Sequence, residues 1–299
     1  MASHPLTSEI ANPPAVVEDS AARHARPHHR MSTRNRLLFF LTAWLIVLMP
    51  FLFWWSTWFG RHLSDTQITA YLNDDKHPRH IQHAVVQLGE RMARQDSGAT
   101  RWYPQLLRLA SHPVEEVRNT DAWVMGQDTS AAAFHETLLK MLRDSSPMVR
   151  GNAALSLVRF GDAAGRPQII ALLQPASIVA PAAGRVIDID KVGTSVRQGG
   201  LIVKLQDGDR ITEIRTPTGG RIRALSVATG ATVAAGTEVA SIDPGSEQVW
   251  EALRALYLVG QLEDLTAIRI YDRSVPEIPD RLHEQATLTE KAIQARATK

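Results

Sequence analysis

Histidines are the residues of this chain whose spacing first suggests chemistry. His77, His80 and His83 follow one another at intervals of three, and His80 and His83 could share one face of a helix. Imidazole nitrogens bind divalent metals, so His80 and His83 are candidate metal ligands, and His112 could join them. However, no carboxylate stands at a recognisable ligand spacing, and His77 and His112 both precede a proline, as residues at helix starts do. The sequence therefore favours surface or capping histidines, and we expect no bound metal.

The other motifs of enzymes are missing. The chain has no cysteine, which excludes disulfides, thiolate metal sites and cysteine nucleophiles. Asp121 and Asp128 could serve acid–base chemistry, but no second member of a catalytic constellation is visible. There is no glycine-rich phosphate loop and no nucleotide-binding fingerprint. We therefore expect a protein that is not an enzyme and holds no cofactor.

The distribution of charge argues against one class of partner. The 299 residues include 33 lysines and arginines against 31 acidic residues, and this small excess lies within residues 1–36. The rest of the chain has no basic surplus with which to displace counterions from a phosphate backbone. We therefore expect no nucleic-acid partner.

A long apolar run predicts a membrane anchor. Residues 37–59 contain no charged side chain, and as a helix they would extend about 34 Å, enough for a bilayer core of about 30 Å. Trp54, Trp55 and Trp58 gather at the far end, where an aromatic belt would meet the membrane surface. The run is too long for a signal peptide, and no small-residue cleavage motif precedes Gly60. The sequence predicts an uncleaved transmembrane helix in contact with lipid.

Arginines set the predicted orientation of this helix. Five of them precede the span, whereas Arg61, Lys76 and Arg79 are sparser beyond it, so the positive-inside rule places residues 1–36 in the cytoplasm. This segment is predicted to be disordered, and translation could begin within it at Met31. The bulk of the chain would then lie in the periplasm or outside the cell, tethered to the inner (plasma) membrane by a single span.

Residues 60–175 repeat a helical pattern. The dipeptides His77-Pro78, His112-Pro113 and Ser146-Pro147 recur at spacings of 35 and 34 residues, and two helical patterns follow each of them. Such units bury their apolar faces only by stacking on one another. Residues 76–174 resemble the short HEAT-like repeats of bacterial proteins, a class also seen in phycobilin lyases. The resemblance implies an α-solenoid of the armadillo type that binds a protein partner.

We expect the partner to contact the repeats around Arg118, Trp123 and Arg150. The two arginines stand near the starts of successive units and could meet an acidic partner. The alternative is a ladder of ion pairs with neighbouring carboxylates such as Asp144. Trp123 could line a binding groove, or it could fill the core between repeats.

Residues 176–244 change to a β-type alternation and contain a duplication. Ile178–Val186 aligns with Ile214–Ile222 at an offset of 36, and further glycines and aliphatic residues align at 37. The glycines are expected to supply turns with positive φ, and the aliphatic residues are expected to face one shared core. The two halves resemble the biotinyl/lipoyl domain, which implies an all-β barrel-sandwich hybrid.

The lysine that carriers of this family modify is missing. In those carriers it stands in the hairpin between the halves, at the position that Asp209 occupies here, while Lys204 belongs to the preceding predicted strand. The resemblance extends to periplasmic adaptor proteins, whose long helical hairpin between the halves is also missing. We expect the hairpin to be a contact surface, through Asp207, Asp209 and Arg210.

A helical pattern returns after the β-type region. Glu251–Gly260 resembles Asn152–Gly161 of the last repeat, and Leu262–Ile270 could supply the second helix of a pair within residues 245–272. We expect the helical array to resume here, and the alternative is a lone helix pair that covers the β domain. Residues 273–299 are expected to form a polar, exposed tail.

Together these patterns predict a multidomain protein. Its parts are an N-terminal transmembrane helix, an α-solenoid of HEAT-like repeats, an all-β barrel-sandwich hybrid and C-terminal helices. We expect a non-catalytic scaffold, assembly or accessory subunit of a respiratory, transport or secretory membrane complex, held beside its partner by the anchor. The alternatives are a truncated periplasmic adaptor of an export system, a biotin or lipoyl carrier, and a lyase-like enzyme.

Overall fold

A computed structural model describes residues 32–58, 62–273 and 278–298, and the chain divides into two units, Met1–Arg61 and His62–Lys299. Residues 1–31 of the predicted disordered segment lie outside the described residues. The side chains of the three tryptophans in the predicted aromatic belt also lie outside the description. Their predicted roles stay predictions.

The described part of the first unit is one apolar helix, α1 (Thr33–Trp58), which contains Pro50. Its window Thr33–Leu52 has a mean hydropathy of 1.8, and none of this window is buried. Among the described residues it is the one helix long and apolar enough to cross a membrane. Length and composition make it a possible span, and they do not determine its orientation.

The second unit begins with stacked helices. Proline lies in the first turn of four of them, because its missing N–H would have no partner there. Pro78 and Pro147 each occupy that turn, whereas Pro113 lies two residues before its helix. The helices are α2 (Asp65–Leu72), α3 (Pro78–Ala93), α4 (Tyr103–Leu109, preceded by a 3-10 turn at Ser97–Trp102), α5 (Glu115–Met125), α6 (Ala132–Met141), α7 (Pro147–Arg159) and α8 (Arg166–Leu172).

The first helices of successive repeats, α3, α5 and α7, pack side by side. Polar bonds between repeats fix their register. The hydroxyl of Ser156 on α7 donates to the carbonyl of Ala122 on α5 at 2.8 Å, and the Asn152 amide donates to the Asn119 side chain at 2.8 Å. The apolar faces of the helices share one buried core, as the repeat pattern predicts.

Two antiparallel sheets follow, between Ala176 and Pro244, and we call this part the β domain. Within it the sheets have the orders β1-β8-β6-β3 and β5-β4-β2-β7. Exchanging each strand of the first half with the strand numbered four higher converts one order into the other, so the sequence duplication is visible in the topology. The strands are β1 (Ala176–Val179), β2 (Gly184–Ile189), β3 (Ser195–Val196), β4 (Leu201–Asp207), β5 (Arg210–Arg215), β6 (Gly220–Leu225), β7 (Thr232–Val233) and β8 (Glu238–Pro244).

Duplicated glycines form duplicated turns in this domain. Gly193 and its counterpart Gly230 have φ of +86° and +90°, and Gly199 and Gly236 have φ of +71° and +82°. Glycine adopts these angles without the Cβ clash that other residues meet. The prediction of positive φ at these four positions is confirmed.

The helical array resumes after the β domain with α9 (Ser246–Val259), the short α10 (Leu265–Ile268) and α11 (Asp280–Ala297). Apolar residues of α9 and α11 belong to the same buried core as α3–α8, whereas the β domain has a core of its own. The Gln248 amide donates to the carbonyl of Leu172 at 2.9 Å, and the Tyr271 hydroxyl donates to that of Leu173 at 2.8 Å. The β domain is therefore an insertion between α8 and α9.

The helix that pairs with α9 differs from the expectation. It is α11, within the segment expected to be an exposed tail. The segment Leu262–Ile270 contributes Leu265 and Ile268 to the helical core, but its end residues are both exposed. The hydroxyl of Thr289 donates to the carbonyl of Leu253 on α9 at 3.0 Å. The buried face of α11 consists of Leu282, Ala286, Thr289 and Ile293. Spacings of four, three and four make this a helical stripe, but alanine and threonine give it a weak apolar signal.

Candidate partner-binding groove

The helices α7 and α9 border a groove on the surface of the array. Two clefts, of about 470 and 320 Å³, adjoin one another because they share Asn152, Leu155 and Glu251. The larger cleft also touches α5, and the smaller cleft reaches the β domain at Ala176 and Thr218. We call the two clefts together the α7–α9 groove.

Equivalent repeat positions build the larger cleft. The alignment that matches α9 with α7 at an offset of 99 pairs Leu155 with Arg254 and Arg159 with Leu258, and all four residues line the cleft. Trp123 of α5, offset from Leu155 by 32, lines it as well. The groove is thus a property of the repeat array, because the same helix position contributes a side chain from each of three repeats.

Two exposed apolar side chains stand in this cleft. Trp123 is 43% exposed and Leu258 is 60% exposed. The indole lies against Gly89 of α3, where a Cβ would come within 3.4 Å of the ring. Trp123 therefore does not lie in the core between repeats, and the array holds it at the rim of the groove. Clustered exposed apolar side chains are typical of interaction surfaces.

Arg159 supplies a positive charge in the same cleft. Its side chain is exposed and makes no hydrogen bond or ion pair with any described residue. The neighbouring Arg254 is engaged, since its guanidinium lies 3.7 Å from Glu251 and 4.4 Å from the ring centroid of Trp250. Arg159 is therefore the cation of this cleft that is available to an acidic group.

Arg150 lines the smaller cleft, but its guanidinium is partly engaged. Nη1 donates to the carbonyls of Asp144 and Ser145 at 2.7 and 2.9 Å, which fixes the loop before α7. The structure therefore places Arg150 at the groove and gives it a structural contact in addition, and its role in partner contact stays a prediction.

Arg118 lies in an ion pair with Asp144 and not on the groove. Its Nε and Nη2 donate to the Asp144 carboxylate at 2.7 and 2.9 Å, and its Nη1 donates to the carbonyl of His112 at 2.8 Å. The side chains of this pair are only 13% and 11% exposed. The hydrogen bond from Arg118 lowers the pKa of Asp144. The structure thus shows, for Arg118, the carboxylate pairing that was the alternative to partner contact, whereas Arg150 donates to backbone carbonyls and not to a carboxylate.

We expect Arg118→Lys to lower the free energy of unfolding by about 1 to 2 kcal/mol, because an ammonium group cannot reproduce the two parallel bonds to Asp144. Thermal unfolding followed by circular dichroism in detergent measures this loss. Arg159→Lys is the matched control, since Arg159 is exposed and unpaired among the described residues. An equal loss in both variants would contradict a stabilising role of the Arg118–Asp144 ion pair.

The other predicted contact surface, Asp207, Asp209 and Arg210, is the exposed hairpin between β4 and β5. Asp207 and Arg210 face one another in the strand register, so no helical arm interrupts the hairpin. Lys204 lies in β4, with its Nζ 3.5 Å from Asp188. The tip therefore carries no amine for a prosthetic group. These three residues line neither cleft of the groove, and their role in partner binding stays a prediction.

The structure groups the histidines differently from the sequence analysis. The Nδ1 atoms of His77 and His80 lie 2.9 and 2.8 Å from the carboxylate of Asp74, whereas Nε2 of His83 lies 2.8 Å from the Gln87 amide nitrogen. The hydrogen bonds with His80 and then His77 lower the pKa of Asp74. The sequence signal for this cluster is Asp74, a carboxylate three residues before His77.

The remaining candidates for chemistry either form hydrogen bonds within the fold or are buried in its core. Asp128 accepts hydrogen bonds from the Tyr103 hydroxyl and from Ser130, and His112 Nδ1 accepts one from the N–H of Val114 at 3.1 Å. Asp121 is wholly buried, and its carboxyl oxygens have no hydrogen-bond partner among the described residues. This burial raises the pKa of Asp121 well above its ordinary value.

Comparison with known protein families identifies one repeat. A HEAT repeat model matches residues 136–164, which extend from α6 through α7 into the loop before α8. HEAT repeats generally mediate protein–protein interactions, and the match therefore suggests an interaction scaffold. No curated protein matches the sequence of this chain.

Solved structures similar to this chain include two carboxylases. One is a single-chain, multi-domain long-chain acyl-CoA carboxylase, with 17% identity over 33% of this chain and a TM-score of 0.24. Another is the urea carboxylase of Kluyveromyces lactis, with 18% identity over 42% of this chain and a TM-score of 0.22. The chain covers 10% of the length of each. At these scores we draw neither fold nor function from them.

Proposed function

We propose that the protein is a membrane-tethered, non-catalytic scaffold, assembly or accessory subunit of an integral membrane complex with a respiratory, transport or secretory role. In this proposal α1 crosses the inner (plasma) membrane with its N-terminus in the cytoplasm, because arginines precede it. The unit His62–Lys299 then lies in the periplasm. Tethering raises the effective concentration of this unit for a partner in the same membrane. The β domain is a biotinyl/lipoyl-like barrel-sandwich hybrid without the modifiable lysine and serves as a second contact module.

The α7–α9 groove is the observation that supports partner binding. Three successive repeats contribute side chains to it from equivalent positions, and its exposed residues combine apolar surface with an unpaired arginine. A surface of this kind buries apolar side chains of a partner at its centre and pairs charges at its rim.

The composition of the groove indicates what it binds. Trp123, Leu155 and Leu258 offer apolar contacts along the cleft, and Arg159 offers a charge at one side. The occupant is therefore an amphipathic segment of the integral partner, with apolar side chains on one face and a carboxylate beside them. The neighbouring Glu251, paired with Arg254, disfavours a second acidic group on the occupant at that end.

Copurification from native membranes in mild detergent tests this proposal. Leu258→Glu places a carboxylate in the apolar part of the groove, and we expect it to reduce the partner recovered with the full chain at least about tenfold. Arg159→Glu should reduce recovery as well, because it reverses the charge that faces the partner. Quantitative mass spectrometry after crosslinking measures both.

Leu288→Glu is the matched control for this experiment. Leu288 is 53% exposed on α11 and lines neither cleft, so the same substitution there adds the same charge outside the groove. We expect this variant to recover the partner as the wild type does. A chain that elutes alone in several detergents, or equal recovery by the Leu258 and Leu288 variants, would count against the groove.

A further inference from the structure

Asp74, His77 and His80 converge where the chain passes from α2 to α3. Backbone bonds hold this turn, since the N–H of His77 donates to the carbonyl of Asp74 at 3.0 Å and the N–H of His80 donates to that of His77 at 2.8 Å. His77 occupies the N-cap position of α3 without a capping bond from its side chain, and His80 stands in the first turn. Both rings therefore leave the helix start on the side of the same carboxylate.

The donor atoms of these three residues form a compact group. Nδ1 of His77 lies 2.9 Å from each oxygen of the Asp74 carboxylate, and Nδ1 of His80 lies 2.8 Å from Oδ2. One ligand atom from each residue lies within 4.8 Å of the other two. Tetrahedral coordination with bonds of about 2.1 Å separates ligand atoms by about 3.4 Å, so small torsions of the side chains would open the group to a metal ion.

The surroundings of the rings favour binding through Nδ1. Tyr71 stacks on His80 with ring centroids 4.4 Å apart and planes 11° from parallel, which fixes the orientation of that imidazole. The side chains of His77 and His80 are 62% and 43% exposed. Each Nε2 can therefore carry its proton toward water, which leaves the lone pair on Nδ1 for a metal.

We propose that Asp74, His77 and His80 form a surface site for a divalent transition-metal ion such as Zn²⁺. Two imidazole nitrogens and one carboxylate oxygen are a donor set that Zn²⁺ and its neighbours in the series accept. The exposure of both rings leaves the remaining coordination position to water. The competing account is a hydrogen-bonded Asp–His–His network without metal. It predicts that the chain binds no Zn²⁺ here and that Zn²⁺ does not change the melting temperature.

Zinc titration of the full chain in detergent, read by competition with a chromogenic chelator, distinguishes the two accounts. Because the N-terminal segment contains His4, His24, His28 and His29, the parent for all variants carries alanine at these four positions and no histidine tag. We expect this parent to bind one Zn²⁺ per chain. Asp74→Asn, His77→Ala and His80→Ala should each weaken binding at least about tenfold.

His83→Ala is the matched control, because His83 stands one turn further along α3 and pairs with Gln87. We expect it to bind Zn²⁺ like the parent. Zinc should also raise the melting temperature of the parent and of His83→Ala, and it should leave that of His80→Ala unchanged. The proposal is overturned if the parent binds no Zn²⁺, if the three ligand variants bind it as the parent does, or if His83→Ala loses binding to the same degree.

Discussion

Replacing Gly220 by alanine is expected to lower the free energy of unfolding of the β domain by more than about 3 kcal/mol. A Cβ at this position would lie 1.9 Å from the carbonyl oxygen of Asp243, deep inside contact distance. Both residues belong to the ladder between β6 and β8, where Gly220 faces Pro244 and Arg221 faces Asp243. The backbone cannot move away without breaking that ladder, so the substitution disrupts one of the two sheets.

Hydrogen exchange with mass spectrometry measures this effect where it arises. We expect peptides from residues 176–244 of Gly220→Ala to lose protection, and peptides from α3–α8 to keep it, because the helices have a separate core. Gly193→Ala is the control. Gly193 has φ of +86° with no atom near the added Cβ. The only cost in this variant is therefore backbone strain, which lowers the free energy of unfolding by about 1 to 2 kcal/mol. Equal protection in the two variants would contradict the steric argument.

Replacing Asp121 by alanine is expected to stabilise the protein by roughly 2 to 4 kcal/mol at neutral pH. Asp121 is fully buried on α5, and its carboxyl oxygens have no hydrogen-bond partner among the described residues. Val85 of α3 and Ala153 of α7, offset from Asp121 by 36 and 32 residues, are buried and apolar. The array therefore accepts an apolar side chain here, and the carboxyl group carries a desolvation cost that alanine removes.

The dependence on pH follows from the raised pKa of Asp121. Between the ordinary pKa of 3.8 and the raised one, the folded protein keeps the proton that the unfolded chain releases, so stability falls as pH increases through this window. We expect the melting temperatures of wild type and Asp121→Ala to lie closest at acidic pH and furthest apart at pH 8. Asp209→Ala, at the exposed hairpin, should leave the melting temperature unchanged at acidic pH and at pH 8. A difference between wild type and Asp121→Ala that does not depend on pH would contradict an ionising carboxyl group.

The periodic elements of the fold could be predicted from the sequence. Prolines at Pro78 and Pro147 mark helix starts because proline fits the first turn, and the HEAT match at 136–164 supports the repeat interpretation. The duplication in residues 176–244 reappears as two sheets of related strand order, with four of its aligned glycines at positive φ and the aligned pair Gly184 and Gly220 in strands. Each of these signals depends on local geometry repeated at a fixed interval, which a sequence records directly.

The parts that depend on contacts between distant residues could not be predicted. Nothing local shows that α11 pairs with α9, since alanine and threonine fill half of its buried stripe. Whether Arg118 pairs with Asp144 or stays free for a partner depends on how one repeat stacks on the next. The groove residues Arg159 and Leu258 were missed for the same reason, because neither stands out until α7 and α9 lie side by side.

The pairing of β1 with β8 has a consequence for how the chain reaches this structure. These strands are the two ends of the β domain, and their register places Ala176 opposite Ile242. Once they pair, Ala176 and Ile242 are held about one strand spacing apart, four residues from the end of α8 and from the start of α9, although the bond from Gln248 to Leu172 joins residues 76 positions apart. The entropy of closing that long loop is then lost within the β domain and not during helix packing. We therefore expect the inserted sheets to form before the last repeat docks, so that a nascent chain completes its solenoid only after this domain has folded.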